Sequence, residues 1–242
     1  MAEVRRIRPG ERDVALDTIV AAFRRDPQVR WWFAGDEEYD RSAPAYFGVL
    51  LDTRIEGGEV WVADGGRAVA RWVPPGGNLI GPELASARYA RTVEGLSPAA
   101  ADRIHRTDEA VDALLPTGAH WYLGVLACHP DHHGCGLGWQ VATPVLAAAD
   151  RAGLPVALET GSPVNVGYYT RRGFAVIGET ALDDATRDGA ALEDTVGRLG
   201  EPAWELARHG GLGDPSPSGV AQAERASSRR GVTVFVMRRE PG

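Results

Sequence analysis

Three alternating glycines, Gly134, Gly136 and Gly138, close the segment Cys128-His129-Pro130-Asp131-His132-His133-Gly134-Cys135-Gly136-Leu137-Gly138 and constrain this chain more than any other feature. An extended apolar run, Trp121 to Cys128, leads into the segment, and a helix-like run, Trp139 to Ala152, leads out of it. Strand, glycine turn and helix in that order make an anion cradle. The glycines let successive backbone N–H groups converge on one concavity, and the following helix adds the positive end of its dipole. A diphosphate is the expected guest.

Elimination narrows the ligand. All 26 basic residues are arginine, so the chain has no lysine for a Walker phosphate loop or a Schiff-base enzyme. A dinucleotide fingerprint beginning at Gly134 and Gly136 would need glycine at 139, where Trp139 stands. No G-x-S-x-G nucleophile elbow occurs.

What remains is the pattern P-x-x-(Gln/Arg)-x-x-G-x-(Gly/Ala), present as Pro130, His133, Gly136 and Gly138, with His133 in the place of the usual Gln or Arg. This resembles the acyl-CoA loop of the GNAT superfamily of N-acetyltransferases. A second motif follows in the order that superfamily uses: a strand, Leu154 to Thr160, and then Asn165, Tyr169 and Gly173-Phe174 in the spacing N-x-x-x-Y-x-x-x-G-F. Further segments, Ala21-Ala22-Phe23 with Asp26-Pro27, Val60 to Asp64, Ala68 to Pro75 and Leu158-Glu159-Thr160, are similar to puromycin N-acetyltransferase and its actinobacterial relatives.

The resemblance implies an α/β (α+β) GNAT fold. Its mixed sheet of about seven strands is splayed between the fourth strand (Trp121 to Cys128) and the fifth (Leu154 to Thr160), with helices on both faces. Read along the chain, a short strand Val4 to Arg8 precedes helical spacing over Asp13 to Phe23 and Tyr46 to Ile55. A hairpin follows, Glu59 to Asp64 with Ala68 to Val73, stopped by Pro74-Pro75. Pro82 to Leu96 and Pro98 to Leu115 read as helices, and Val176 to Glu179 with Val232 to Arg238 close the sheet. The whole chain, 1–242, is expected to be one domain with an insertion at about 181–230 between the last two strands. Gly189 to His209 reads as one or two helices, and Gly210 to Arg230, rich in Gly, Pro and Ser, as a loop.

Composition excludes several classes. With 44% hydrophobic and 24% charged residues the chain is expected to be a soluble globular protein. No signal-like opening and no apolar stretch near 20 residues is present, so a cytoplasmic protein without membrane contact is expected. A net charge of −7 without a concentrated basic face argues against nucleic acid and favours a cationic or amine acceptor. Monomer and homodimer both remain open.

Cys128, His129, Asp131, His132, His133 and Cys135 form the most metal-like cluster. Zinc would need four converging side chains, whereas a glycine cradle turns amides inward and side chains outward, so no metal is expected. The resemblance implies acetyl-CoA as cosubstrate. Leu126, Ala127 and Cys128 would meet the pantetheine arm as a surrogate strand, and His133, Gly134, Cys135, Gly136, Leu137, Gly138 and Trp139 would form the diphosphate cradle. Asn165 would hold the ligand near the gap or cap its helix.

Tyr169 matches the family's general acid, with a packed aromatic as the structural alternative. Glu159 is the first choice for general base, with His120, Tyr122 or water as alternatives and backbone bonding as its structural role. Trp31, Trp32 and Phe33 with Asp36, Glu37, Glu38 and Asp40 could build an acceptor pocket, or be core residues and a solvated loop. The leading expectation is acetyl transfer to a primary amine of a small molecule, with an antibiotic among the candidate acceptors. The alternatives are a non-catalytic acyl-CoA-binding sensor or assembly domain, and an acetyltransferase acting on a protein or peptide amine.

Overall fold

The computed structural model describes residues 2–8, 10–55, 57, 59–77, 83–184 and 231–242. Among the described residues seven strands form one sheet in the order β1-β2-β3-β4-β5-β7-β6. They are β1 (Val4–Arg6), β2 (Val60–Ala63), β3 (Ala68–Val73), β4 (Trp121–Cys128), β5 (Val156–Thr160), β6 (Phe174–Asp183) and β7 (Gly231–Arg239). Of these, β4 and β5 run parallel and the other neighbours antiparallel. Seven α-helices among the described residues flank the sheet: α1 (Arg12–Phe23), α2 (Pro27–Trp32), α3 (Asp36–Ile55), α4 (Glu83–Glu94), α5 (Pro98–Leu114), α6 (Leu137–Ala152) and α7 (Pro163–Thr170). The splayed mixed sheet implied by the resemblance is present.

Alternation along the strands sorts side chains to two faces. Val62, Val69, Val125, Ala127, Val234 and Val236 join the core beneath α1 to α5. Leu123, Leu158, Phe235 and Met237 join the core against α6 and α7.

The sheet opens because of one extra residue. In the β3–β4 ladder Arg71 pairs with Val125 but Trp72 pairs with Leu123, so Gly124 is left over as a bulge. Pairing of β4 with β5 covers only Trp121, Tyr122 and Leu123 against Val156, Ala157 and Leu158. Past the bulge the β4 edge bends away and its ladder to β5 ends. A side chain at 124 has no room: a Cβ there would lie 2.7 Å from an Arg71 guanidinium nitrogen and 3.2 Å from the Tyr122 ring.

Several elements differ from their sequence reading. Helix α3 begins ten residues earlier, because Tyr39 and Ala43 continue the buried stripe of Tyr46, Phe47 and Leu50 beneath a charged outer surface that reads as loop. Pro44 sits inside this helix. Helix α2 is set by Asp26, whose Oδ1 accepts from Gln28 N at 3.0 Å and Val29 N at 3.1 Å, with Pro27 at the first helical position. Strand β6 runs from Phe174 to Asp183, well beyond the expected Val176 to Glu179, because the long β7 supplies a ladder partner as far as Gly231. The sheet therefore extends three residues into the segment assigned to the insertion. Gly189 to His209 and Gly210 to Arg230 lie outside the described residues. Among the described residues no helix is long and apolar enough to cross a membrane.

Replacing Gly124 by valine should lower stability by about 1–3 kcal/mol, since the buried Arg71 and Tyr122 would both have to move. Urea unfolding of the variant measures this, and an unchanged midpoint would show that the bulge has slack.

Candidate functional site

The glycine turn lies where β4 ends. A short turn, Pro130–His132, carries the chain to His133, and α6 then begins with Gly136 as its cap residue. Gly136 has φ +75° and Gly134 φ +80°, a left-handed conformation that strains any residue with a Cβ. Among the described residues the N–H groups of Gly134, Cys135, Gly136 and Leu137 have no hydrogen-bond acceptor within the protein. Four free donors at a helix N-terminus form a site for an anion.

The side chains of the turn are committed elsewhere. His133 Nε2 lies 3.0 Å from the Cys128 carbonyl, and because a carbonyl only accepts, this nitrogen carries the hydrogen. Cys128 Sγ donates to the His132 carbonyl, Cys135 Sγ to the His133 carbonyl, and His129 Nδ1 accepts from Asp131 N. Among the described residues no three His, Cys, Asp or Glu side chains are grouped to hold a metal ion. Leu137 is buried in the core by its side chain. The Trp139 N–H bonds to the Gly136 carbonyl, and its indole packs against Tyr168 with the Arg172 guanidinium over the ring. Gly138 approaches β4, but a Cβ there would lie 3.7 Å from the Cys128 Cβ, an ordinary contact, so alanine fits.

A cavity of about 530 Å³ opens at the splay between β4 and β5. Leu123 to Leu126 line its sheet side, Asn165 and Tyr169 its α7 side, and residues of α1 to α5 its far wall. Ala127 and Cys128 continue the same β4 strand beyond the cavity, where β5 no longer pairs with it.

Glu159 stands at the C-terminal end of β5 with both carboxylate oxygens engaged. Tyr122 Oη donates to Oε2 at 2.5 Å and Gln28 Nε2 donates to Oε1 at 3.3 Å. Burial pushes the Glu159 carboxyl up, against those two hydrogen bonds, and the nearby Asp112 and Asp26 raise it further. His120 is not part of this group. It precedes β4, does not line the cavity, and its Nδ1 lies 2.7 Å from the Gly118 carbonyl.

Tyr169 is 8% exposed and packs edge-on against Tyr168 and Phe174, with ring centroids 5.3 and 5.6 Å away. Its hydroxyl has no hydrogen-bond partner among the described residues, and burial pushes its proton affinity up. Asn165 is not the cap of α7. Ser162 takes that role, its Oγ accepting from Asn165 N at 3.4 Å, and Asn165 Nδ2 reaches Thr160 Oγ1 at 3.4 Å.

The expected aromatic and acidic acceptor wall is only partly assembled. Trp31, Trp32 and Phe33 are all buried core residues, and of the three only Trp32 lines the cavity. Asp36, Glu37, Glu38 and Asp40 form the first turns of α3 on the outer surface, where Glu38 accepts from Ser97 Oγ and Asp40 pairs with Arg24. The acids that do line the cavity are Asp26, Asp108, Asp112 and Glu159. Asp108 projects from α5 and accepts from Tyr89 Oη at 2.9 Å. Burial pushes Asp26 up to about 6 and Asp108 up to about 7, with Glu159 adding to the shift of Asp108. Sequence reasoning missed Gln28, Tyr89 and Asp108. Asp108 sits on a helix whose pattern HRTDEAVDA reads as an ordinary amphipathic surface, so no local signal marks it.

Residues 97–174 match the model of the acetyltransferase (GNAT) family. Over that segment, which holds the glycine turn and the α7 motif, the chain is similar to the GNAT acetyltransferases. Solved structures extend the likeness to the whole fold at low identity. An acetyltransferase of Corynebacterium glutamicum, described as histone acetyltransferase HPA2 and related acetyltransferase, is 19% identical with a TM-score of 0.53, covering 100% of this chain and 97% of that one. The polyamine N-acetyltransferase of Drosophila melanogaster, which forms N-acetylagmatine, is 16% identical with a TM-score of 0.54, covering 98% and 99%. Arylalkylamine N-acetyltransferase 2 of Aedes aegypti is 11% identical with a TM-score of 0.56, covering 100% and 99%. GNAT enzymes use acetyl-CoA, and this chain offers what that cosubstrate requires: free N–H donors at the cradle and an unpaired β4 edge beside the cavity.

Two outcomes test this geometry. Gly136→Val should abolish acetyl-CoA binding by calorimetry while leaving a folded protein, because the side chain both strains the left-handed residue and blocks the donors. Asp108 has a folded pKa of about 7 against 3.8 for the free group, so the folded state binds more protons between those values. Its contribution to stability is full at low pH and is lost as pH rises through about 7. Thermal melts should show Asp108→Asn flattening the decline of Tm across that window.

Proposed function

We propose that this GNAT enzyme transfers the acetyl group of acetyl-CoA to a primary amine of a small molecule held in the cavity between Glu159 and Tyr169. One observation carries this reading. Tyr169, a buried side chain whose hydroxyl has no hydrogen-bond partner among the described residues, lines the same cavity as Glu159, across the gap where β4 and β5 part.

When bound, acetyl-CoA supplies an activated thioester. The residues of the chain supply position and proton control. The N–H groups of Gly134 to Leu137 hold the diphosphate, with His133 and Gly138 beside them, and the edge of Leu126, Ala127 and Cys128 aligns the pantetheine. A free N–H on that edge stabilises negative charge at the acyl oxygen. Glu159 takes the proton that the acceptor nitrogen loses as the C–N bond forms; burial raises its proton affinity and so makes it a stronger base than a free carboxylate. Tyr169 donates a hydrogen bond at the sulfur as the C–S bond breaks. Burial makes its phenol a weaker acid than usual, so hydrogen bonding outweighs full proton transfer. Asn165, tied to Thr160, keeps the α7 wall fixed against β5.

The acidic lining suits an amine acceptor, in keeping with the neighbours that act on agmatine, polyamines and arylalkylamines. The likeness of Val60 to Asp64 and Ala68 to Pro75 to puromycin-type enzymes supports an antibiotic amine within the same class. Both strands of that likeness lie on the sheet, and Arg71 of β3 reaches the cavity.

Tyr169→Phe should lower kcat by about ten- to a thousandfold with acetyl-CoA affinity little changed. Glu159→Gln should lower kcat/KM by about 10²- to 10⁴-fold and remove the limb of the pH profile that rises as the carboxyl ionises. Thiol release across a panel of amines reads both. Full kcat in Tyr169→Phe, with chemistry rate-limiting, returns the tyrosine to a packing role.

A further inference from the structure

The cavity holds more carboxyl groups than one amine needs. Four line it, Asp26, Asp108, Asp112 and Glu159, against a single basic side chain among the described lining residues, Arg71. A monoamine entering as its ammonium can compensate one of them, and the others must hold protons or meet a second cation, because a buried carboxylate without a compensating charge is costly.

The carboxylates are also not equivalent. Glu159 is bonded through both oxygens to Tyr122 and Gln28 at the acetyl-transfer gap. Asp108 reaches in from α5, across the cavity, with Oδ2 bonded to Tyr89 and Oδ1 without a partner among the described residues. Around it stand aromatic rings: Tyr46 and Tyr89 have centroids 6.0 Å apart, and Trp32 packs on Tyr46 at 5.3 Å. A carboxylate with one open oxygen beside tyrosine and tryptophan rings is the chemistry that holds an organic cation. Tyr169, 8% exposed and with no hydrogen-bond partner for its hydroxyl among the described residues, independently marks the same cavity as a place where a ligand completes the hydrogen bonding.

We propose that the acceptor is at least dicationic: its reacting amine stands at Glu159 while a second ammonium or guanidinium group is held by Asp108 among Tyr46, Tyr89 and Trp32. This rests on the acyl-transfer reading above and adds a specificity residue to it. Burial raises the proton affinity of Asp108, and the second cation takes the place of a proton as the partner of its carboxyl. Arylalkyl monoamines meet the rings but leave Asp108 uncompensated.

Putrescine and butylamine share a carbon chain and differ by the terminal ammonium, which makes them the probes. In calorimetry on the protein saturated with CoA, putrescine should bind about ten- to a hundredfold more tightly than butylamine. Asp108→Asn should bring that ratio to about one, Asp108→Glu should restore part of it, and Tyr89→Phe should reduce it by freeing the carboxylate to turn. Acetyl-CoA titration of each variant checks that the fold is kept. Equal affinity of the two amines, or an unchanged ratio in both Asp108→Asn and Tyr89→Phe, overturns the proposal, as does acetylation of the single-ammonium puromycin ahead of putrescine. If both aliphatic amines are acetylated with equal kcat/KM, the second-cation site falls and the transfer reading stands. If putrescine binds with the expected ratio and no amine is acetylated, the cation site stands and the transfer reading falls.

Discussion

The site depends on β4 parting from β5 after three paired residues. A parallel ladder carried to the end of both strands would consume the backbone donors and acceptors of Gly124 to Cys128 and close the cavity. One inserted residue prevents that. Gly124 breaks the register with β3, turns the strand, and leaves Tyr122 and Val125 facing the side of α1 to α5 while Leu123 and Leu126 face α6. The bulge needs glycine because Arg71 and Tyr122 already occupy the space beside it. The open edge, the cavity and the reach of α7 to its rim follow from this break.

Around the opening, the chain places two kinds of polar group under different rules. At the glycine turn, backbone N–H groups are left without protein acceptors among the described residues at an exposed helix terminus. In the cavity, carboxylates are held partly away from water, and burial outweighs the hydrogen bonds each receives, so Asp26, Asp108 and Glu159 all bind their protons more tightly than free groups do. The first arrangement suits a strongly charged, exposed diphosphate. The second suits a ligand whose cations can displace protons in a confined space.

The turn between them shows why metal-like composition is a poor guide on its own. Cys128, His129, His132, His133 and Cys135 are close in sequence, yet Cys128, His129, His133 and Cys135 each bond to backbone of the same turn or of the strand end beside it. With glycines at φ +80° and +75° the backbone coils so that amides, not side chains, face the concavity. His133 acts in this as a brace between the turn and the last carbonyl of β4.

The sequence by itself determined the glycine turn, the strand and helix on either side of it, and the α7 motif with Tyr169. Each is written in local terms, as glycines at turn positions, an apolar run of strand length, or a tyrosine four residues after an asparagine, and local backbone preference decides them. It also pointed to Glu159. It did not determine the acceptor wall: the acids after Trp31-Trp32-Phe33 were plausible, and they face outward because α3 starts at Asp36 and its buried stripe is Tyr39, Ala43 and Tyr46. Only the tertiary structure brought Gln28, Tyr89 and Asp108 to the cavity. Their role comes from desolvation and from charges on helices far apart in the chain, and neither quantity exists until those helices pack on one face of the sheet.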